Sequence, residues 1–454
     1  MALNRHGQRF GMKKFGFNVT LGATLLALAA CGSHEQAQPL KITLPGSFAK
    51  AKSAQSAPNY AYRWWLGFGD ETLNQLIAIG LAESPTATLA AARLREAEAR
   101  AQTTRNWPLG SGEVRGRRSD GVGTEELELD AEWNFFGGRQ AARSAALERL
   151  EAAGYGEDSA RLSLVSELAQ AYVELRYLQQ TRVLRDRDLR SRQRTVNSLL
   201  ELSDAGNATR LDVVRARALV EETRAEIPEI AASITAQKNR IATLSGRALA
   251  RLGVDLGYKG IQPAAQVSGR IGVPADLVRG KPEVRQAEAL YAAAVRDLGA
   301  ARGARYPTLS LSGNILAPLD GGSVTETAVA GIALPIFQQP LLAAEEDAAF
   351  ARVEQAYAEW TSAVLSAVED VESALAAIQG SHLSAVHAGR LVSLNSEAHN
   401  LVREQLSIGS ATVLELLDSE RETTRARGSI SRYKRDQALA LIALYRALGV
   451  GVPS

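Results

Sequence analysis

The sequence predicts a mainly α fold with a small β part, in which very long helices and short strand pairs alternate in two tandem repeats. Three observations carry this reading. Matched landmarks recur in one order about 200 residues apart along the 454-residue chain. Two segments of about 65 residues hold an unbroken 3–4 apolar spacing. Short segments between them alternate apolar and polar residues with a period of two. Composition agrees, because aromatics are only 6% and the chain is rich in Ala, Leu, Glu and Arg, a bias that favours long helices.

In chain order, the first element is a leader. Arg5, Arg9, Lys13 and Lys14 precede an apolar stretch from Phe15 to Ala30 that ends in small residues. A charged region, an apolar region and a small-residue processing site read as an export signal over 1–30. The apolar run is shorter than the roughly 20 residues of a comfortable membrane helix. The only cysteine, Cys31, follows Leu28-Ala29-Ala30 directly, so no intrachain disulfide can form. A lipidated linker over 31–61 is expected next.

The first repeat is placed at 62–252, an inter-repeat linker at 253–275 and the second repeat at 276–454. Trp107-Pro108 and Tyr306-Pro307 each end an Ala/Arg-rich helical stretch; Phe136 and Phe337 each precede a long Ala/Glu-rich segment. "LSDAGNATRLDVVRA" matches "LSIGSATVLELLDSE", aligning Gly206 with Gly409, Thr209 with Thr412, Leu211 with Leu414 and Asp212 with Glu415. Each half then runs helix, strand, turn, strand, very long helix, tight turn, long helix. The very long helices are expected at about Arg139–Asp204 and Leu341–Ile408, rods of roughly 100 Å at 1.5 Å per residue. Pro228 falls within the next helix, where a kink is expected, since an interior proline costs about 3 kcal/mol unless bending accommodates it.

The strand segments decide the compartment. Leu127, Leu129, Ala131, Trp133 and Phe135 alternate with Glu126, Glu128, Asp130, Glu132 and Asn134, and Leu309, Leu311 and Ile315 with Ser310, Ser312 and Asn314. Ala328, Ala330, Ile332 and Leu334 continue the pattern. Apolar-out, polar-in segments of about ten residues suit a transmembrane barrel; the plainer alternative is a pair of hairpins on a soluble core. Four strands close no barrel, and open edges are not tolerated in lipid. A membrane reading therefore requires several copies to pool their strands.

At this level of detail the residues resemble a known family. Trp65, Phe68, Asp70 and Leu73 carry a Trp-x-x-Phe-x-Asp-x-x-Leu opening within Tyr62–Arg100, "VPADLVRGKPEVRQAEA" is similar to an inter-repeat signature, and "ALIALYRALGVGV" to a Leu-Tyr-x-Ala-Leu-Gly ending. Together they resemble the outer-membrane efflux factors of the TolC/OprM type, in particular their NodT-like lipoprotein branch. Lys281-Pro282-Glu283 departs from the usual Arg-Pro-Asp, Gln338-Gln339-Pro340 from a glycine pair, and Asn134 from an acidic residue. Leu28-Ala29-Ala30-Cys31 resembles a lipobox, which implies a covalent lipid on Cys31, and Gly32 after it points to the outer membrane.

The resemblance implies a homotrimer whose four strands per subunit form a 12-stranded outer-membrane barrel, continued by an α-barrel into the periplasm. It implies as partners outer-membrane lipid, a periplasmic adaptor (membrane fusion protein) and an inner-membrane RND-type pump, with small molecules exported passively. Export of protein with a type I secretion pump is the rival within the fold; a structural periplasmic coiled-coil lipoprotein is the rival outside it.

The tight turns at Asp204–Leu211 and Ile408–Leu414 each join two long rods and belong at the periplasmic end. Gly206, Thr209, Leu211, Gly409, Thr412 and Leu414 are the candidate adaptor contacts. By resemblance Glu415 and Asp418 match acidic positions that form a constricting ring, with Asp212 in the equivalent first-repeat turn. Ala411 stands where some relatives carry an arginine latch, leaving Arg210 or Arg215 as donors to Asp212. Acidic residues in a first helical turn are also stabilised by the helix dipole with no pore role.

Other chemistry finds no support. Net charge is only +2, from 52 Lys and Arg against 50 Asp and Glu, so no global field recruits nucleic acid. Five histidines show no H-E-x-x-H spacing, and neither a G-x-S-x-G elbow nor a phosphate loop occurs; no catalytic residue, metal site or further cofactor is expected. The run Arg182, Arg185, Arg187, Arg190, Arg192 and Arg194, interleaved with Asp186 and Asp188, reads as a solvated helix face.

Overall fold

The computed structural model describes residues 59–105, 111–119, 122–133, 137–258, 260, 262–263, 279–318 and 322–450. The leader, Cys31, Trp107-Pro108, Asn134, Phe135, Phe136 and most of the inter-repeat signature before Arg279 lie outside them.

Asp70 starts the first helix, α1 (Glu71–Glu83), by accepting hydrogen bonds from the backbone N–H of Thr72 at 2.9 Å and of Leu73 at 3.3 Å. This satisfies donors that the first helical turn leaves free. Pro85, which has no N–H to lose, opens α2 (Pro85–Arg105). Strands β1 (Ser111–Ser119) and β2 (Val122–Trp133) follow, then α3 (Gly138–Asp204) and α4 (Arg210–Leu244). The second repeat supplies α5 (Pro282–Ala304), β3 (Thr308–Pro318), β4 (Thr325–Ala333), α6 (Gln339–Ser407) and α7 (Val413–Ala447). The order matches in both repeats, and α3 and α6 begin and end within two residues of the predicted limits. They contain 67 and 69 residues, each roughly 100 Å long. Helix α4 continues through Pro228.

The chain divides into two units, each built from both repeats. One comprises the described residues within 104–145 and 294–352, and the other those within 59–103, 146–293 and 353–450.

In the first unit the four strands form one antiparallel sheet in the order β1-β2-β3-β4. The repeats meet at β2 and β3, whose register sets Leu127 opposite Ile315, Ala131 opposite Leu311 and Trp133 opposite Leu309, and sets Glu128 opposite Asn314, Asp130 opposite Ser312 and Glu132 opposite Ser310. Between β2 and β3 the period-two pattern thus sets apolar positions opposite apolar ones and polar positions opposite polar ones. A one-residue slip would set apolar against polar. At the base of the second hairpin Glu346 accepts from Arg302 at 2.9 Å and from Arg305 at 2.5 Å, tying α5 to α6.

In the second unit the main hydrophobic core gathers Trp64, Trp65, Phe68, Leu73, Leu168, Tyr172, Ile241, Leu441 and Ile442 around the opening motif. Trp64 stacks on Tyr445 with ring centres 5.2 Å apart and planes 11° from parallel, so the opening motif rests on the Leu-Tyr-x-Ala-Leu-Gly ending. Beneath lies a polar network that no sequence pattern announced. Tyr172 donates to Asp70 at 2.5 Å, and the fully buried Arg176 donates to Tyr172 from Nε at 2.9 Å and from Nη2 at 2.7 Å. Arg176 also donates to Gln179 and to the carbonyl of Gly257. Burial and the bond to the Asp70 carboxylate hold the Tyr172 hydroxyl well above the usual phenol range. The Asp of the opening motif therefore both caps α1 and anchors it to α3.

The arginine run is not the solvated face expected of it. Arg192 and Asp188 are buried; Arg192 donates to the Leu219 carbonyl at 2.8 Å, Arg185 pairs with Glu226 at 2.6 Å and Arg182 donates to the Ile227 carbonyl at 3.5 Å. Positions 182, 185 and 192 recur on the side of α3 that meets α4, so these arginines join the two helices, while Arg187, Arg190 and Arg194 are exposed.

Candidate functional site

Both predicted turns are described, and they share one architecture. Gly206 and Gly409 have φ of 80° and 78°. Asn207 N–H donates to Leu202 O at 2.7 Å and Gly206 N–H to Ser203 O at 3.0 Å; Ser410 N–H donates to Gln405 O at 2.9 Å and Gly409 N–H to Leu406 O at 3.1 Å. Each is a glycine-terminated helix end in which the left-handed residue lets two orphan carbonyls be satisfied.

Three residues later the next helix begins on a threonine. Thr209 accepts from Asp212 N–H, while the Asp212 carboxylate accepts from Thr209 N–H at 3.0 Å and from its hydroxyl at 2.6 Å. Thr412 and Glu415 repeat this, the carboxylate accepting from Thr412 N–H at 2.7 Å and from its hydroxyl at 2.9 Å. These are reciprocal capping boxes. The Thr209 hydroxyl and amide hold the Asp212 carboxyl below its ordinary range, and the Thr412 amide and hydroxyl do the same for Glu415.

Asp212 and Glu415 are thus helix caps that stay ionised. The latch donors named for Asp212 do not reach it: its carboxylate bonds go to Thr209, and Arg215 contributes only through its charge. Asp418, one turn beyond Glu415, accepts from Arg421 of its own helix at 2.6 Å. Of the two ring candidates, Glu415 is the one without a cation on its carboxylate.

The structure brings the two turns together. Val213 and Val413 are buried in one cluster with Val196, Leu199, Ala216 and Leu417, separate from the main core. Leu211 and Leu414, each two residues after the capping threonine, are 55% and 48% exposed, and Ile408 is 75% exposed. The end of the helical unit therefore presents paired apolar side chains beside paired carboxylates.

No described helix is long and apolar enough to cross a membrane. Among the described residues no group of three or more His, Cys, Asp or Glu is placed to hold a metal ion.

Comparison with known proteins agrees with this architecture. The family described as "Outer membrane efflux protein" matches residues 78–247 and 273–450, one segment per repeat. Nodulation protein T of Rhizobium leguminosarum bv. trifolii is 29% identical over 452 residues, spanning 94% of this chain and 96% of that protein. The pyoverdine export outer membrane protein OpmQ of Pseudomonas aeruginosa is 27% identical over 460 residues, spanning 96% and 97%. Among solved structures, the outer-membrane channel OprN superposes with a TM-score of 0.83 at 28% identity, covering 91% of this chain and 98% of that one. The open state of the MtrE outer membrane channel of Neisseria gonorrhoeae gives 0.81 at 26% identity, covering 92% and 98%. Matched across both repeats, the chain belongs to the outer membrane efflux protein family.

Proposed function

We propose that this outer-membrane efflux protein works as a homotrimeric conduit, its barrel built from three copies of the four-stranded sheet and its helical end docked to a periplasmic adaptor served by an RND-type pump. The observation that carries this is the sheet itself. Within one chain β1 and β4 are both edges, and among the described residues neither hydrophobic core contains a strand residue. Leu311 and Ile332, on one sheet face, are 43% and 63% exposed. Lipid covers such a face only if the edges are paired, and pairing β4 with β1 of the next copy closes them. The helices point the same way. Leu394 and Leu401 on α6, and Ile408 just past its end, form an exposed line at seven-residue steps, and the exposed Leu211, Ala218 and Ala225 repeat that step on α4. The large side chains on α6 and the small Ala218 and Ala225 on α4 suit packing between copies.

Three-fold symmetry brings Glu415 and Asp418 around one axis, where a narrow ring of carboxylates favours cations. The channel performs no catalysis in this reading; the pump supplies energy. Reconstituted in planar bilayers, the wild-type protein is expected to conduct with cation preference, and Glu415→Ala with Asp418→Ala to raise single-channel conductance and reduce that preference. Unchanged conductance and selectivity would remove both residues from the constriction, and absence of any conductance would reject the conduit.

We also propose that Cys31 carries the lipid. One acyl chain alone binds membranes marginally, so a multiply acylated cysteine adds a second attachment beside the barrel. Cys31→Ser is expected to leave heat-resistant oligomers intact while abolishing incorporation of labelled palmitate. Undiminished labelling would refute the assignment.

A further inference from the structure

Between α3, α6 and α7 lies an open cleft of 400 Å³, lined by Arg187, Arg190 and Arg194 from α3, Arg403 from α6 and Arg427 from α7. Among the described residues none of these five guanidinium groups makes a hydrogen bond or an ion pair, whereas their neighbours Arg182, Arg185 and Arg192 on α3 and Arg421 and Arg425 on α7 are all paired. The cleft lining also holds His399 and two buried carboxylates: Asp188, which accepts from Thr424 and pairs with Arg185, and Glu420, which is only 8% exposed. One of its oxygens, Oε2, accepts from Thr195 at 3.3 Å; the other, Oε1, is buried with no partner. A buried acceptor left unsatisfied costs about 1–3 kcal/mol. Five unpaired cations beside an unpartnered carboxylate oxygen are the complement of an anion that also carries a hydrogen donor.

We propose that this cleft binds a soluble, hydroxylated polyanion, its phosphate or carboxylate groups held by the arginines and a hydroxyl donating to Glu420 Oε1. Guanidinium groups grip such oxyanions in paired fashion, and the cleft has the size of small-molecule sites. Its place in the fold rests on the channel reading above. Glu420 and Arg427 lie about 180° around α7 from Asp418 at 100° per residue, so with Asp418 toward the axis the cleft opens outward into the periplasm. Arg190 stands 14 residues before Asp204, the end of α3 at the tight turn; in the channel reading that end is periplasmic, which favours a soluble anion over a lipid headgroup.

Calorimetry on the purified full-length protein in detergent, with tripolyphosphate and fructose 1,6-bisphosphate as probes, tests this. Both are expected to bind, more weakly at high salt. Arg190→Gln with Arg427→Gln, both exposed, is expected to weaken each about tenfold or more, as loss of charge-assisted bonds dictates. Glu420→Gln separates the probes: tripolyphosphate, which offers no hydroxyl, should bind more tightly once the negative charge is gone, and the sugar bisphosphate should gain less or lose affinity. Lack of binding by either probe, equal binding by the double variant, or an identical gain for both probes in Glu420→Gln would overturn the proposal. So would binding only to phosphatidylglycerol vesicles, or only to an acidic helical peptide. Conductance is read separately, so failure here leaves the channel reading standing and loss of conductance leaves the cleft result interpretable.

Discussion

Alanine at Gly246 or Gly449 is expected to prevent assembly of the folded protein, whereas alanine at Gly206 or Gly409 is expected to be tolerated. All four glycines end long helices in the same left-handed conformation, with φ between 75° and 80° for three of them and 67° for Gly449. Each substitution incurs about 1–2 kcal/mol for placing a Cβ there. At the turns that is the whole cost, because nothing lies within 4 Å of a Cβ added to Gly206 or Gly409. At the opposite helix ends there is no room. A Cβ on Gly246 would overlap the Glu83 carbonyl oxygen and lie 2.9 Å from its carbon; one on Gly449 would lie 2.7 Å from Lys281 Cα and 2.9 Å from Pro282 Cδ. These neighbours are backbone and proline ring, held at the end of α1 and the start of α5, and cannot swing away. Strain of this kind adds about 1–3 kcal/mol. Gly246→Ala and Gly449→Ala should therefore yield little heat-resistant oligomer, with thermal melting followed by tryptophan fluorescence well below that of Gly206→Ala. Similar melting for all four variants would show that these close approaches relax.

Removal of the buried cation is the second large effect. Arg176→Met keeps the volume and apolar stem but deletes donors to Tyr172, Gln179 and Gly257 O. The buried Tyr172 and the half-buried Asp70 bonded to it then lose the Arg176 guanidinium. Breaking a buried charged network by deleting one member costs about 3–5 kcal/mol, much of it from the groups left behind. Tyr172→Phe should cost less, about 1–3 kcal/mol, as one hydroxyl leaves Asp70 and Arg176 short of a partner. The double variant should be no worse than the sum of the two, because both changes act on one network. Denaturant or thermal titrations of the detergent-solubilised oligomer would read these differences; a wild-type melting curve for Arg176→Met would show that the network is dispensable.

Residues in these two predictions were read very differently from the sequence. Gly206 and Gly409 stood out because a glycine between two helical seams, followed by threonine and an acidic residue, is a local signal: the cap needs only atoms within five residues of itself. Gly449 was visible only as part of a family-like ending, and Gly246 was not singled out. The signal was nonetheless present, for Gly246 and Gly449 stand in the same relation to Pro85 and Pro282 in the two repeats. Neither Tyr172, whose hydroxyl is the hinge of a network, nor Arg176, one of many arginines in a long helix, carries a local signal that marks it out. The arginine run was read as one face because spacing along a single helix does not reveal where the next helix lies. Half of it proved to be the seam with α4.

By itself the sequence determined the duplication, the element order, the limits of α3 and α6 to within two residues, the period-two strands and the chemistry of both turns. These are consequences of short-range geometry, the 3.6 and 2.0 periodicities and the conformational freedom of glycine, which each segment carries wherever it is placed. Only the tertiary structure decided that β2 and β3 join the repeats in a register matching apolar to apolar, that Asp70 reaches Tyr172 across 102 positions, that the carboxylates at the turns serve first as caps, and that five arginines from three helices surround Glu420. Burial and partner choice depend on which distant side chains arrive, and nothing local in the chain encodes that.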